Sequence, residues 1–447
     1  MNFQLTKEFL NTIEVLTKTK DAQAILNLCK NLLAPDIAEI IINLQPDEAK
    51  FVLDLFSEEK SADILIELED DFREKLLDNL SSKEIVEEVI DNLDSDDAAD
   101  VIQELSDEKQ KEVLSNIINP QQASHLADLL SYEENSAGAL MAKELIQVRE
   151  NWSILRCVAE MREQAQNVNK VYTIYVVNKE NQLLGTVSLK KLLLSPEKTF
   201  INKIFNKHII SVQTDTSCEQ IARIMNKYDL IVLPVVDKQN ILVGRITIDD
   251  VVDYIKEEAE RDYQMASGIS ENIEPLDSIL TLIKARIPWL IIGLIGGLLG
   301  AQIIGLFPIE KNPLLAFFIP LIAAMGGNVG VQSSAIIVQG LASKNLGIEH
   351  WSKRLIKEFG VALANGLICC IIVFIACIVL YPQPNIPIIV SISLLTVMVF
   401  AALFGTFVPL FLNKYNIDPA LATGPFITTM NDVIGLFIYF SIAEIIL

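Results

Sequence analysis

Apolar residues follow two different patterns along the 447-residue chain. Up to about residue 286 they are interspersed with charged residues, whereas five long apolar stretches follow after it. Each stretch is long enough to cross a bilayer as a helix. The pattern predicts a soluble region followed by a transmembrane domain of five helices at 287–447, with spans at about 289–307, 314–341, 359–380, 387–412 and 420–447.

Residues 1–130 have the periodicity of short amphipathic helices. A leucine or phenylalanine recurs every 12 or 13 residues, and each is followed by a polar helix start and about two helical turns. Ser57, Ser81 and Ser106 are predicted N-caps of three of these helices. Because such short helices cannot bury an apolar face alone, they should stack into a helical solenoid. The recurring residues are Leu44, Phe56, Leu68, Leu80, Leu93 and Leu105.

Residues 131–256 change to a pattern that is typical of strands, and the pattern occurs twice. Strands at 171–177 and 184–188 precede a helix start at 189–194, and a second copy covers 230–252. Two copies of helix, strand, turn, strand and helix resemble a tandem pair of CBS domains, an α/β module. That resemblance implies binding of an adenine nucleotide such as ATP, with Thr247 and Asp250 at the positions that would hold ribose and phosphate.

The densest run of charge joins this module to the membrane domain. It predicts an acidic connecting helix at 257–286, and around its start Asp250, Asp253 and Glu257 share one helical face. A solvated linker helix is one interpretation. The other is a site for hard divalent cations, which prefer carboxylate ligands.

Charge is divided as unevenly as hydrophobicity. From position 287 onward six basic residues balance six acidic ones, so the preceding region carries the whole formal charge of −22. This acidity argues against nucleic acid as a partner and makes metal cations or basic proteins plausible.

Three aspartates of the solenoid, Asp96, Asp97 and Asp100, have two interpretations: a generic scaffold surface or a cation site. Asp96 and Asp100 share a helical face, where like charges repel unless a cation separates them.

The six cysteines have no CxxC spacing, so neither disulfides nor zinc sites are predicted.

The flanking charges predict the orientation of the spans. The N-terminus lacks the apolar segment of a signal peptide. Lys284 and Arg286 precede the first span, and Lys353, Arg354 and Lys357 precede the third. By the positive-inside rule these ends are cytosolic, so we expect a multi-pass protein of the cytoplasmic membrane with its C-terminus outside.

Polar residues within two apolar stretches are the strongest functional signal. Asp432 lies well inside the last stretch, where an ionised carboxylate costs about 2.5 to 3.5 kcal/mol unless it faces a bundle interior or a wet path. Residues 325–334 combine three glycines with Asn328 and Gln332. Small-residue helix packing would explain the glycines alone. Asn328 and Gln332, together with Asp432 and the exposed backbone at Gly424, predict a pore. These four residues are expected to line it.

At this point the sequence resembles the MgtE family of magnesium channels, over nearly the whole chain. The specific matches are Gly326-Gly327-Asn328 with Gln332-Ser333, Asp418-Pro419-Ala420, and Gly424-Pro425-Phe426 through Asp432. The resemblance implies a homodimer whose pore lies between two membrane domains, where Asp432 of each chain holds a hydrated Mg²⁺. It also implies a cytosolic magnesium sensor with acidic ligands at Asp96, Asp100, Asp215, Asp229, Asp250, Asp253, Glu258 and Asp418. Gly424 and Val331 depart from the polar residues of some members, so backbone carbonyls would replace side-chain ligands.

The sequence therefore predicts a channel for Mg²⁺ uptake that intracellular Mg²⁺ closes by binding the acidic cytosolic domains. One alternative is a transporter of Co²⁺, Mn²⁺ or Ni²⁺, although the spans contain no His, no CxxC cysteine pair and no Met cluster for softer metals. Another is a membrane-anchored metal or nucleotide sensor without conduction. An enzyme is not predicted, because His125, His208 and His350 are scattered and no Walker motif, nucleophile elbow or zinc signature occurs.

Overall fold

The fold is given by a computed structural model that describes residues 3–168, 170–270, 273, 278–308, 312–342, 351–381, 383–415, 417–422 and 424–447. The chain divides into two units, residues 1–256 and 257–447. Part of the predicted connecting helix at 257–286, namely residues 271, 272 and 274–277, lies outside the described residues.

The first unit begins with a stack of short helices, as the 12-residue periodicity predicts. Leu44, Leu68 and Leu105 of the repeat are buried, while Phe56 and its remaining counterparts pack partly buried against the same core. The helix that starts at Ser82 continues as a π-helical turn and a 3-10 turn. The elements are α1 Lys7–Thr19, α2 Ala22–Cys29, α3 Ala34–Ile41, α4 Pro46–Leu53, α5 Glu58–Ile66, α6 Asp70–Asp78, α7 Ser82–Glu84 with Ile85–Val89 and Ile90–Asn92, α8 Ser95–Glu104, α9 Asp107–Asn116 and α10 Pro120–Leu129.

Two of the three predicted N-caps form as side-chain caps. The Ser57 hydroxyl accepts the Lys60 N–H at 3.4 Å. Ser81 and Glu84 cap each other's backbone N–H groups, which is a capping box. Ser106 occupies the predicted N-cap position of α9, but its side chain accepts no capping hydrogen bond.

The second part of this unit contains two three-stranded sheets of the same topology. In each, the first strand pairs in parallel with the second, and the second pairs antiparallel with the third. The repeat confirms the predicted CBS pair. The elements are β1 Ile146–Arg149, α11 Ile154–Gln164, β2 Ile174–Val177, β3 Leu183–Val187, α12 Leu189–Leu194, β4 Val212–Gln213, α13 Cys218–Tyr228, β5 Val232–Val236, β6 Leu242–Thr247 and α14 Ile248–Ala266.

The two sheets meet through equivalent residues. The Leu183 N–H donates to the Asn240 carbonyl at 3.0 Å, and the Leu242 N–H donates to the Asn181 carbonyl at 3.1 Å. Asn181 and Asn240 both adopt positive φ, a conformation that asparagine tolerates in turns. The pair is therefore related by an approximate twofold axis. Helix α14 begins directly after β6, nine residues before the predicted connecting helix starts.

The second unit contains five helices that are long and apolar enough to cross a membrane. They confirm the predicted number of spans among the described residues. Helix α18 is the most buried of them and packs against α16, α17 and α19. Gly405 of α18 lies so close to the Gly330 carbonyl of α16 that a β-carbon would overlap it. The helices are α15 Ile279–Leu306, α16 Ile319–Ala342, α17 Trp351–Leu380, α18 Asn385–Lys414 and α19 Gly424–Ile446.

Candidate metal centres and ion path

Asp432 lies on α19 opposite the glycine-rich face of α16. A β-carbon at Gly327 would lie 3.1 Å from Thr428 Cγ2 and 3.9 Å from Asp432 Oδ1, so a larger residue there would crowd this contact. The preceding residue, Asn431, is buried and donates from Nδ2 to the Gly326 carbonyl at 3.3 Å. The half-buried Asp432 is therefore carried on a helix whose position against α16 is fixed by packing and by a hydrogen bond.

The other predicted pore residues are polar groups exposed on membrane helices. Asn328 and Gln332 lie one turn apart on α16, and both are exposed. Side-chain amides are costly against lipid, so this face fits a wet path or a protein contact. Gly424 starts α19 with φ +48°, and its carbonyl accepts a hydrogen bond from Thr428 Oγ1 at 3.0 Å. Gly424 lies about 12 Å along the helix axis from Asp432, so the two mark different depths.

In the first unit, α8 and the start of α14 place several carboxylates against one another. Burial raises the pKa of Asp97 to about 7, with further contributions from Asp250 and Asp94. Desolvation also raises the pKa of Asp100 to about 7, and Asp97 adds to the effect. Burial followed by the Asp97 charge raises the pKa of Asp96 well above its ordinary value. When these carboxylates are ionised, nearby basic residues balance their charge only in part, a condition that a divalent cation would relieve.

Helix α14 contributes Asp250 to this cluster and places Asp253 near another part of the solenoid. Burial raises the pKa of Asp250, although hydrogen bonds from Thr247 act in the opposite direction. Asp253 faces the solenoid, because it is the largest contribution after desolvation to the raised pKa of Glu67. The structure thus brings the predicted ligands Asp96, Asp100 and Asp250 to one region, between α8 and α14, whereas Asp253 lies one turn further along α14 and acts on Glu67.

Two further carboxylates in this region were not predicted. Glu144 Oε2 accepts hydrogen bonds from the Ser95 N–H and hydroxyl at 3.1 and 2.7 Å, across 49 residues of sequence. Asp94 Oδ2 lies 3.5 Å from Arg245 Nη2, across 151 residues. Separations of this size leave no local signal in the sequence. For Asp97, which the predicted ligand set omits, its position beside Asp96 was the available signal.

Arg73 is a buried basic residue that faces the same cluster. Its charge lowers the pKa of both Asp97 and Asp100. Its guanidinium is already engaged, because Nε donates to Glu104 Oε2 at 2.8 Å and Nη2 donates to Asp70 Oδ1 at 2.7 Å. The arginine therefore compensates the aspartates only in part.

A second acidic group lies in the unit that contains the membrane helices. Burial, then Glu258 and Asp418, raise the pKa of Asp262. Glu258 also pairs with Arg261 at 2.5 Å, and Asp418 accepts the N–H of Ala420 at 2.8 Å. The predicted ligands Glu258 and Asp418 therefore lie near each other, around an aspartate that the prediction omitted.

The remaining two predicted ligands lie at the surface of the second CBS domain. Asp215 is exposed in the turn after β4, and Asp229 is exposed where α13 ends, with φ +51°. Neither contributes to the pKa shifts of Asp96, Asp97 or Asp100. The structure of one chain therefore does not bring them to the cluster between α8 and α14.

Nowhere in the described parts of the chain do three His, Cys, Asp or Glu side chains converge closely enough to hold a metal ion. The α8 and α14 carboxylates instead interact at longer range. Mg²⁺ sheds its water reluctantly and is usually bound through one or two carboxylates with several waters retained. The donor set therefore fits a hydrated Mg²⁺ better than a metal that requires full coordination by protein.

The predicted nucleotide residues have a structural role at the start of α14. Asp250 Oδ2 accepts the Thr247 N–H at 3.1 Å and also accepts the Thr247 hydroxyl, an arrangement that caps the helix. A small cleft with a volume of about 10 Å³ lies between the CBS sheets nearby, and its lining includes Tyr172, Lys170 and Arg245 but neither Thr247 nor Asp250.

Comparison with known proteins covers each of these regions. Residues 319–442 match the family described as a divalent cation transporter, MgtE. Residues 32–135 match the MgtE intracellular N domain, and residues 137–197 and 201–257 match CBS domains. A carboxylate between membrane helices, joined to acidic soluble domains, together with these matches defines a divalent cation transporter of the membrane.

Three curated relatives are magnesium transporters. The magnesium transporter MgtE of Thermus thermophilus is 34% identical over 334 residues, which cover 74% of each chain. That of Enterococcus faecalis is 33% identical and that of Bacillus subtilis 30%, covering 72% and 70% of each chain. The chain belongs to the MgtE family of magnesium transporters.

Two solved structures resemble the soluble region. One is the soluble part of a magnesium transporter, with a TM-score of 0.51, 25% identity, and coverage of 57% of this chain and 99% of that one. The other is the cytosolic domain of the Mg²⁺ channel MgtE in complex with ATP, with a TM-score of 0.52, 29% identity, and coverage of 55% and 99%. They support the predicted arrangement of a helical N-domain followed by a CBS pair.

Proposed function

We propose that the chain conducts Mg²⁺ into the cell through a path that Asp432 and the exposed face of α16 line. The observation that carries this proposal is the position of Asp432. It is a half-buried carboxylate on a membrane helix, beside a glycine face whose next polar residues, Asn328 and Gln332, are exposed. An ionised group at that depth is tolerated beside water or a cation.

We propose that the conducting form is a homodimer. One chain supplies only one carboxylate to the proposed path, Asp432, beside the amides of Asn328 and Gln332. A hydrated Mg²⁺ is better held by two carboxylates. A second copy would supply the other carboxylate and cover the polar face of α16.

The orientation of the chain in the membrane is proposed from the basic residues that flank the spans, which support cytosolic soluble domains and an external C-terminus.

Uptake of Mg²⁺ into proteoliposomes, followed with an encapsulated Mg²⁺ dye, tests the path. Asp432→Asn should reduce uptake at least tenfold, because it removes the charge and keeps the shape. Glu444→Gln is the matched control, since Glu444 is an exposed carboxylate near the end of the same helix. Equal uptake by wild type and Asp432→Asn would refute the pore assignment. The same vesicles loaded with Co²⁺-, Mn²⁺- or Ni²⁺-sensitive dyes separate Mg²⁺ selectivity from general divalent transport.

For gating, we propose that intracellular Mg²⁺ closes the path by bridging the carboxylates of α8 and α14. The support is the raised pKa of Asp97 and Asp100, which marks negative charge that a cation would neutralise. Moving a gate from 1:99 to 99:1 requires about 5.5 kcal/mol of differential binding. One weak site half-occupied by ion supplies under about 1 kcal/mol by mass action. Several sites must therefore act together, and Glu258 with Asp418 are candidates for a second one.

Patch recordings at high cytosolic Mg²⁺ test the gate. Replacing Asp250 and Asp253 together by Asn should leave the channel open where wild type closes. Replacing the exposed Asp91 and Asp107 of the solenoid by Asn controls for the loss of two charges. Unchanged inhibition in the Asp250/Asp253 variant would reject the bridge.

Adenine nucleotide is a second proposed ligand of the soluble region. The support is the ATP complex of the similar cytosolic domain, together with Lys170 at the small cleft between the CBS sheets, which provides positive charge for phosphate. Calorimetry with ATP on the full-length protein tests it. Lys170→Ala should weaken binding, and Thr247→Val tests whether the helix cap also contacts the nucleotide.

A further inference from the structure

A second carboxylate lies within the membrane helices and has no role in the proposed ion path. The five helices contain three carboxylates, Glu358, Asp432 and Glu444. Glu444 is exposed near the end of α19, whereas Glu358 lies half-buried in the third turn of α17. Carboxylates in membrane helices are costly and usually functional, so Glu358 requires a physical explanation.

The described partner of Glu358 is a hydroxyl on another helix. Ser333 of α16 is buried and donates from Oγ to Glu358 Oε1 at 2.6 Å. The distance is typical of a strong O–H···O bond to a charged acceptor. Elsewhere in the membrane domain, the hydroxyls of Thr396 and Ser441 bond instead to carbonyls of their own helices. The Ser333 bond therefore differs from ordinary hydroxyl satisfaction, because it connects α16 to α17.

Ser333 follows directly after the proposed pore residue Gln332, on the same helix as Asn328. Successive residues of a helix point about 100° apart, so the exposed face and the Ser333 face look in clearly different directions. Gly326, Gly327 and Gly330 let α16 lie close to α18 and α19, and on that side Asn431 Nδ2 donates to the Gly326 carbonyl. In lipid, van der Waals packing and interhelical hydrogen bonds together fix the rotation of a helix, and the Ser333 bond adds a polar contact to α17.

We infer that Glu358 is a positioning residue, which through Ser333 holds the rotation of α16 and so the direction in which Asn328 and Gln332 face. This inference rests on the proposed function, because it assumes that the exposed face of α16 contacts the ion. Glu358 acts on the other side of α16 and does not itself touch the ion. A rotation of α16 would change how the hydrated ion is bound and discriminated before it changed whether the protein folds.

The test measures the half-saturating Mg²⁺ concentration and the Mg²⁺:Co²⁺ uptake ratio in proteoliposomes. Ser333→Ala and Glu358→Ala should each shift both quantities by about threefold to tenfold, the range expected for loss of one interhelical hydrogen bond in a membrane. The double variant should behave like either single one, because both remove the same bond. Glu358→Gln keeps an acceptor of the same shape and should stay within about twofold of wild type. Ser441→Ala is the matched control, since its hydroxyl bonds within its own helix.

Three outcomes would overturn the inference. The first is a Ser333→Ala variant that matches Ser441→Ala in both quantities. The second is a Glu358→Gln variant as impaired as Glu358→Ala, which would place the charge itself in the ion path. The third is a lower maximal rate with unchanged half-saturation and ratio, which would indicate a purely structural role. Asp432→Asn is measured alongside, and normal uptake by this variant would refute the proposed function. The positioning role of Glu358 is decided separately, by whether the Ser333 and Glu358 substitutions are non-additive in uptake and in apparent Tm.

Discussion

Neutralising Asp97 should stabilise the soluble region in the absence of Mg²⁺. Burial and neighbouring carboxylates raise the pKa of Asp97 from 3.8 to about 7. A difference of about 3 pKa units corresponds to about 4 kcal/mol between the protonated and ionised forms. At pH 8 the folded protein bears this cost in full, because Asp97 is ionised there. Asp97→Asn removes it, and for a unit of this size the apparent Tm should rise by about 5 to 15 °C.

The pH dependence has a definite sign. The pKa of Asp97 is higher in the folded protein than in the unfolded chain, so between pH 3.8 and about 7 the folded state holds a proton that the unfolded state has lost. By linkage, stability falls as pH rises through that window and is lowest above it. On the proposal that Mg²⁺ binds the ionised carboxylates, it should raise the apparent Tm strongly at pH 8 and little at pH 5.

Thermal unfolding of the full-length protein, followed by intrinsic fluorescence with EDTA or with MgCl₂, checks both points. Asp97→Asn should reduce the fall in apparent Tm between pH 5 and pH 8, and should reduce the gain from Mg²⁺ at pH 8. Asp91→Asn serves as the control, because Asp91 is an exposed carboxylate of the same solenoid. The reasoning is refuted if Asp97→Asn keeps the full pH dependence and the full gain from Mg²⁺.

Two further predictions concern packing. Gly405→Ala should lower the apparent Tm or the yield of folded protein, because the new β-carbon would overlap the Gly330 carbonyl. Gly360→Ala in α17 is the control and should be tolerated, because no atom lies within 4 Å of its new β-carbon. Equal behaviour of the two variants would contradict the close approach of Gly405 to Gly330. Arg73→Gln should destabilise the soluble region by about 3 kcal/mol, since it leaves Glu104 as a half-buried charge without its partner. Restoring stability by adding Glu104→Gln would support that reason, and an additive loss in a chemical denaturation series would contradict it.

Periodic features of the fold could be predicted from the sequence. The recurrence of Leu44 and its counterparts predicted the stacked helices, because each short helix must bury its apolar face against a neighbour. The doubled strand pattern predicted two sheets of one topology, and five apolar stretches predicted five spans. Helix boundaries were predicted less closely: α14 begins at Ile248, where Thr247 and Asp250 cap it, whereas the connecting helix was predicted to begin at residue 257.

The candidate sites likewise differ in whether the sequence alone could reveal them. Asp432 was found from sequence because a carboxylate in an apolar span is costly wherever the span folds. By contrast, Glu144 beside Ser95, Asp253 beside Glu67 and Ser333 beside Glu358 are contacts between distant segments.

The sequence by itself therefore determined the classes of element, their order and the isolated charge in the membrane, since periodicity and the cost of burying charge are local properties. The tertiary structure decided which carboxylates face one another and which side of α16 is exposed. Those outcomes depend on long-range packing, which brings together residues as far apart as Asp94 and Arg245.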